Sequence, residues 1–457
     1  LLASLVLVYV VAQLLPGVLA GEQPEYLLVE MMPGLELKFT LEPLGMIFAG
    51  VAAVLWPIAS LYSIGYMRGN KEKHQSRFYA SFAIAIAAVM GIAFAGNLIT
   101  LFVFYEVLTL STYPLVTHKG SDDAIKAGRV YMGILLSTSI GLLLPAIIWT
   151  WALTGTTDFT VGGVMSGVGP VAGSVLLVLF AFGIGKAALM PVHPWLPNAM
   201  VAPTPVSALL HAVAVVKAGV FSILKVVVYI FGADYMQTLP AADVLAWVAG
   251  GSIVVASIFA FTKDNLKARL AYSTVSQLSY ITLGAMLASP LALLGAALQI
   301  VMHAYGKITL FMTAGGIYTG AKKSEISQLN GLGHYMPVTF AAFLIGALSI
   351  IGVPPFGGVW PKVFLMEGAA SGGQPWLIVM LIGSTLLNIG YLLPIVIRGF
   401  FKPKPEPSPM RPGQPPCRAR TSVLSRLAVT NAISEPEKNA LTTSSRTMGR
   451  MNSMRPV

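Results

Sequence analysis

Five ionisable side chains stand inside long apolar runs. Glu106 lies in Phe104-Tyr105-Glu106-Val107-Leu108 and Lys217 in Val215-Val216-Lys217-Ala218-Gly219, while Lys186, Lys307 and Lys362 have comparable surroundings. A charge at the centre of a membrane-spanning helix costs roughly 2.5 to 3.5 kcal/mol, so it is kept mainly where it has a partner or a task. The chemistry open to amines and a carboxylate in an apolar medium is proton transfer. Burial disfavours the charged amine and a nearby carboxylate restores it, so a lysine beside Glu106 is poised to load or release a proton when the pair separates. His211 and His303 add two imidazoles, which titrate closer to neutrality.

Spacing narrows the options. His303 and Lys307 are four residues apart, which stacks them on one helical face and predicts a pair that hands a proton along directly. His211 and Lys217 are six apart, so they differ in azimuth and by about 9 Å in height, and water would have to bridge them. The plainer alternative is that the lysines snorkel to an interface or neutralise carboxylates as structural pairs. Lys225, about two turns beyond Lys217, is read as snorkelling toward the outer face.

These residues need helices that cross a bilayer. The chain has 457 residues, 56% of them apolar and only 10% charged, with a mean hydropathy of +0.76. Apolar stretches of about 20 residues, each long enough for a hydrocarbon core of roughly 30 Å, recur as far as Phe401. Twelve spans are predicted: 1 to 20, 44 to 66, 78 to 97, 98 to 116, 129 to 149, 171 to 190, 203 to 230, 243 to 261, 272 to 289, 292 to 316, 337 to 362 and 375 to 397. The loops support this count. Arg68, Lys71, Lys73 and Arg77, then Lys119 and Lys126, then Lys263, Lys267 and Arg269, then Lys322 and Lys323, then Arg398 and Lys402 occupy alternate loops. The opposite loops, near 150 to 170, 231 to 242 and 367 to 375, hold no Lys or Arg. The basic side is therefore cytoplasmic, and the acidic segment Gly21 to Glu42 falls outside.

Proline interrupts two spans, at Gly185 to Trp195 around Lys186 and at Gly352 to Lys362. Irregular backbone at membrane depth is tolerated where protein or water satisfies the freed groups, so such breaks mark ion pathways. Spans three to seven (78–230) and eight to twelve (243–401) then form two five-helix units, each with a broken, lysine-bearing fourth member. An odd helix number makes consecutive units inverted in the membrane. Residues 1–77 supply the N-terminal helices. From 402 to 457 a Pro-, Ser-, Thr- and Arg-rich tail is expected to be disordered and without a span.

Several features carry less. Cys417 is the only cysteine, which excludes a disulfide framework, a cysteine-ligated metal or an iron–sulfur cluster within the chain, so no cofactor is expected. Much of the net charge of +11 falls in the tail, so it does not indicate a nucleic-acid partner. His193, between prolines, reads as a loop residue, Asp122 and Asp123 as solvated surface. The Gly162 to Gly169 run reads as a flexible external loop, since no strand or P-loop lysine accompanies it. The opening run from Leu1 ends in Val18-Leu19-Ala20, like a signal-peptide cleavage site, but no basic region precedes it. A genuine span is the preferred reading.

With these residues in view, the stretch from about Leu44 to Phe401 resembles the proton-conducting antiporter-like family shared by Mrp-type cation/proton antiporters and the large membrane subunits of respiratory complex I. The resemblance rests on Asn97-Leu98 with Phe104-Tyr105-Glu106, and on Lys186 with Pro194-Trp195-Leu196-Pro197. It rests further on Ala202 to His211, Lys217-Ala218-Gly219-Val220, Leu270 to Leu278, His303 with Lys307, and Pro354-Pro355-Phe356 with Lys362. It implies an all-α fold of about fourteen helices with two inverted five-helix repeats. It also implies a membrane-parallel axis of Glu106, Lys186, Lys217, His303, Lys307 and Lys362. Lysine at 362 argues against the complex I subunit that carries glutamate there, and the wording around Leu266 to Leu283 is most similar to the D-type component of an antiporter. By this resemblance the family's first helix is missing before Leu1 and its last is replaced by the polar tail. The expected function is proton translocation within a hetero-oligomeric Na+ or K+/proton antiporter in a bacterial or archaeal cytoplasmic membrane, with a transporter subunit favoured over an enzyme. The alternative is a proton-pumping subunit of NADH:quinone oxidoreductase or a membrane-bound hydrogenase.

Overall fold

Helix starts are written into the sequence of this protein. Proline, pre-set for a first helical turn, opens helices at Pro43, Pro170, Pro240, Pro290, Pro337 and Pro375. Polar side chains cap others: Asn97 Oδ1 accepts from Thr100 N at 2.8 Å, and Ser121, Asn265 and Ser289 act alike. The computed structural model describes residues 1–32 and 35–403; the tail beyond, with Cys417 and the expected disorder, lies outside the described residues.

The elements run α1 (Leu2–Leu19), β1 (Glu25–Met32), β2 (Leu35–Thr40), α2 (Pro43–Gly69), α3 (Gln75–Ala93), α4 (Leu98–Val116), α5 (Asp122–Thr138), α6 (Leu144–Thr154) and α7 (Pro170–Gly183). Short helices α8 (Trp195–Asn198) and α9 (Thr204–Ala208) lead into α10 (Val215–Val226), followed by α11 (Ala233–Met236). Then come α12 (Pro240–Thr262), α13 (Leu266–Leu287), α14 (Pro290–Ala321), α15 (Pro337–Ile351), α16 (Val359–Ser371) and α17 (Pro375–Phe401). Single π turns join α5 to α6 at Ser139–Leu143 and α9 to α10 at Leu209–Val213. Such turns are frequent at functional sites.

Among the described residues, nine helical stretches are long and apolar enough to cross a membrane, and the broken α7 and α15 are shorter apolar helices. With α13 these account for the twelve predicted spans. α13 falls short on composition for a visible reason: from Ser273 to Met286 its residues are all buried, so protein rather than lipid surrounds its Ser, Thr and Gln side chains. The chain is a multi-pass membrane protein.

Three boundaries differ from expectation. The span predicted at 337–362 is broken into α15 and α16 as expected, but the second helix runs on to Ser371 through part of the expected loop. Lys267 and Arg269 lie in the first turn of α13 rather than before it; Lys267 Nζ donates to Ala202 O at 2.6 Å and Arg269 to Lys263 O and Tyr391 O. The segment 21–42, expected to lie outside, contains an antiparallel hairpin pairing Glu25 with Thr40 and Tyr26 with Phe39. Alternation in Leu35-Glu36-Leu37-Lys38-Phe39-Thr40 was the available signal. The hairpin docks on the α3–α4 connection, with Thr40 N donating to Phe94 O and Gly96 N to Lys38 O.

Candidate functional site: buried amines

α7 ends at Gly183, and a 3-10 turn at Gly185–Ala187 carries Lys186 into the protein interior. Trp195 Nε1 donates to Gly185 O at 3.0 Å and takes up one freed carbonyl. Lys186 is fully buried, and its Nζ donates to Tyr105 O at 2.9 Å and to Thr109 Oγ1 at 2.6 Å, 3.0 Å from the Tyr105 ring centroid. Tyr105 Oη also accepts from Lys186 N. Glu106 follows on the same helix, yet Lys186 Nζ does not come within 4.0 Å of its carboxylate. Both Glu106 oxygens are buried without a hydrogen-bond partner. No direct ion pair joins the two; neutral oxygens of α4 hold the ammonium.

Lys217 comes from α10, which is buried along its whole length. Its Nζ lies 2.8 Å from Nδ1 of His303 on α14. That is hydrogen-bond distance, short enough for a proton to pass without a bridging group. His303 Nε2 has no partner. The predicted His303–Lys307 pair is not formed, although α14 does put both on one side: Lys307 Nζ reaches α13 instead, donating to Leu270 O at 3.2 Å and Ser273 Oγ at 2.7 Å. Ser273 Oγ in turn accepts from Tyr391 Oη at 2.7 Å, and Tyr391 makes a very short contact with Asn388 Oδ1. Lys307 thus begins a polar chain through α13 to α17.

His211 sits in the π turn before α10, fully buried, its ring 4.7 Å from that of Phe311 and both nitrogens unpartnered. It shares no hydrogen bond with Lys217. Lys362 lies in the first turn of α16, where its Nζ donates to Ile351 O at 2.7 Å and Thr385 Oγ1 at 3.1 Å. The end of α15 at Ile351 leaves that carbonyl without an intrahelical partner, so the break itself supplies the acceptor. Between His303 and this break, Gln299 Nε2 donates to Gln277 Oε1 at 2.8 Å, near Ser349 and Gly358.

Lys225 does not snorkel. It is fully buried, its Nζ 2.9 Å from Glu42 Oε1 and 2.7 Å from Ala95 O. The partner lies in the segment 21–42, far from α10 in sequence, so spacing within one helix gave no sign of it. Sequence reasoning also assigned no role to Tyr105, Thr109, Ser273, Gln277, Gln299, Asn388 or Tyr391. The amides had a usable signal, since uncharged Gln and Asn inside spans need partners as lysines do. His193 is a loop residue near Tyr272, and Asp122 and Asp123 are exposed in the first turn of α5, as expected.

Comparison with known proteins places this geometry in context. The family model described as NADH:quinone oxidoreductase/Mrp antiporter, TM, matches residues 95–388. NADH-quinone oxidoreductase subunit N of Desulforudis audaxviator is 31% identical over 404 residues, covering 86% of this chain and 79% of that protein. The A/B component of a probable K(+)/H(+) antiporter from Rhizobium meliloti is 30% identical over 90% of this chain, which spans only 42% of the relative's length. A chain of the Mrp complex from Dietzia sp. DQ12-45-1b superposes with a TM-score of 0.79 at 26% identity, over 90% of this chain and 76% of that one.

Proposed function

This chain belongs to the NADH:quinone oxidoreductase/Mrp antiporter transmembrane family, and from that premise we propose that it translocates protons within a multisubunit monovalent cation/proton antiporter. The observation that carries the reading is the Lys217–His303 contact inside a set of buried amines. Protons move between Glu106, Lys186, Lys217, His303, Lys307 and Lys362, with His211 beside the line. The neutral acceptors Thr109, Ser273 and Thr385 hold the waiting ammonium groups. Exchange in each half belongs to one five-helix unit, 78–230 or 243–401, and Na+ or K+ is the counter-ion. Its partners are the other subunits of a hetero-oligomeric complex in a bacterial or archaeal cytoplasmic membrane.

The second reading, a proton-pumping subunit of a quinone-reducing complex, is favoured by the 31% identity to subunit N. The likeness to the Mrp complex chain favours the first. The experiment is to purify the native complex, identify its subunits and reconstitute it. Collapse of an imposed pH gradient on adding Na+ or K+ supports the antiporter. Co-purifying flavin and iron–sulfur subunits, with no cation-driven collapse, would overturn it in favour of the second.

A further inference from the structure

Lys225 and Glu42 make no hydrogen bond to the other buried amines and sit at the junction of α10, the end of α3 and the start of α2. α3 stops at Ala93, so its last carbonyls point onward without intrahelical donors, and helix C-termini attract cations. Lys225 Nζ sits among Ala93 O at 3.4 Å, Ala95 O at 2.7 Å and Glu42 Oε1 at 2.9 Å. Gly45 lets this geometry close, because a Cβ there would fall on Ala93 O. Glu42 Oε1 also caps α2 by accepting from Gly45 N at 3.1 Å, which fixes the carboxylate. Its other oxygen, Oε2, is buried and makes no hydrogen bond, although Glu42 is only 4% exposed.

This cage borders a cavity of about 310 Å³ lined by Glu42, Lys225, Ala95, Thr40 and Tyr229 among others. One wall is Val161, which is 74% exposed, so the cavity lies next to the surface carrying the loops free of Lys and Arg. An anionic carboxylate with a spare oxygen, two carbonyl oxygens and an antechamber roomy enough for water are what a weakly hydrated monovalent cation needs to shed part of its water. In this structure the lysine ammonium, itself a compact monovalent cation, occupies that oxygen set.

We propose that the Glu42, Ala93 and Ala95 oxygens form an outward-facing alkali-cation site in which Na+ or K+ competes with the Lys225 ammonium. The proposal rests on the antiporter reading for its physiological role, but the site itself does not. The exchange balances. An N–H bond of the Lys225 ammonium breaks, the proton goes to cavity water, the neutral amine swings aside and the cation takes its oxygens. Site charge is unchanged, with one cation in for one proton out. The titratable groups facing the cage are Glu42 and Tyr229. Glu25 accepts from Thr40 Oγ1 at the cavity wall, at 3.4 Å, and Lys38 and Asp158 are engaged with each other at 2.8 Å.

The test is equilibrium binding of radioactive sodium and rubidium to the purified complex at several pH values. For the unaltered protein, apparent affinity should fall by up to tenfold per unit decrease in pH, because proton and cation compete for one site. Glu42→Gln should lose one equivalent of bound cation. Lys225→Met, which leaves the oxygens in place and deletes the competitor, should keep that equivalent with only the pH dependence that protonation of the Glu42 carboxylate itself imposes. Unchanged binding in Glu42→Gln, or unchanged pH dependence in Lys225→Met, overturns the proposal. If both variants behave as expected while reconstituted complex shows no cation-driven proton movement, the site stands and the antiporter reading fails. If exchange is intact and binding is indifferent to both substitutions, only the site is lost.

Discussion

Lys217 and His303 lie 86 residues apart in sequence and 2.8 Å apart in space, at the crossing of α10 with α14. Both are buried, so water does not screen their interaction and each fixes the proton state open to the other. One ammonium and one imidazole in contact make a relay, because protonating both would place two adjacent positive charges in an apolar interior.

Lys217→Ala should abolish proton-coupled exchange while leaving complex assembly near normal. Removal leaves His303 Nδ1 unsatisfied, at about 1 to 3 kcal/mol, but relieves a buried ammonium of comparable cost. Adding His303→Ala to Lys217→Ala should then cost little more, and a double-mutant cycle on proton flux should be strongly non-additive. Reduced complex yield with normal activity in what remains would instead mark a structural pair.

The individual amines were legible in sequence because a lysine in an apolar run is conspicuous, whereas their partners were not. His303 and Lys307 share a helical face, and local geometry suggested that they bond. Tertiary packing sent Lys307 to Ser273 on α13 and gave His303 to Lys217 instead. Lys225 failed for the same reason at longer range. Its carboxylate lies in a hairpin-bearing segment that the sequence marked only as acidic and external, and no spacing within α10 reports a partner so far away. The spans and their breaks were readable because length, hydropathy and proline are local properties. α13 was recognised as a span although its composition is that of a helix enclosed by protein, as its burial then showed.

Glu106→Gln and Lys186→Ala should each lower proton flux and combine non-additively. In the structure no direct hydrogen bond joins them, since Lys186 is held by Tyr105 O and Thr109 Oγ1, so any coupling acts through the field between the two charges. Thr109→Val removes one neutral acceptor from a charged donor, worth about 1.5 to 3 kcal/mol, so its effect on flux should be roughly ten- to hundredfold and smaller than that of Glu106→Gln. Additive losses for the first two would separate Glu106 from the lysine's function.

Ser273 holds Lys307 and Tyr391 together through one hydroxyl, with both contacts at 2.7 Å. Ser273→Ala should slow proton flux by several-fold. Tyr391→Phe added to it should have little further effect, because both lesions cut the same polar chain. Flux measurements on the two single variants and the double variant decide this. Independent effects would mean that Lys307 does not communicate with α17 by this route.

Gly219 tests whether the break at Lys186 must be held in place. It faces the turn from α10, and a Cβ built there would fall on the backbone of Lys186 and Ala187. Because those atoms are main chain rather than the end of a flexible side chain, the turn must move, and overpacking of a buried contact costs about 1 to 3 kcal/mol. Moving the turn shifts Lys186 Nζ away from Thr109 and Tyr105, bonds that need positioning to within a fraction of an ångström. Gly219→Ala should therefore lower thermal stability of the purified complex modestly and reduce proton flux far more than that loss accounts for. Gly251→Ala is the matched control, since a Cβ there meets nothing within 4 Å. It should leave both quantities within error, as alanine also suits a helix better than glycine. Equal behaviour of the two variants would show that the close approach of α10 to the broken helix does not set the geometry of Lys186.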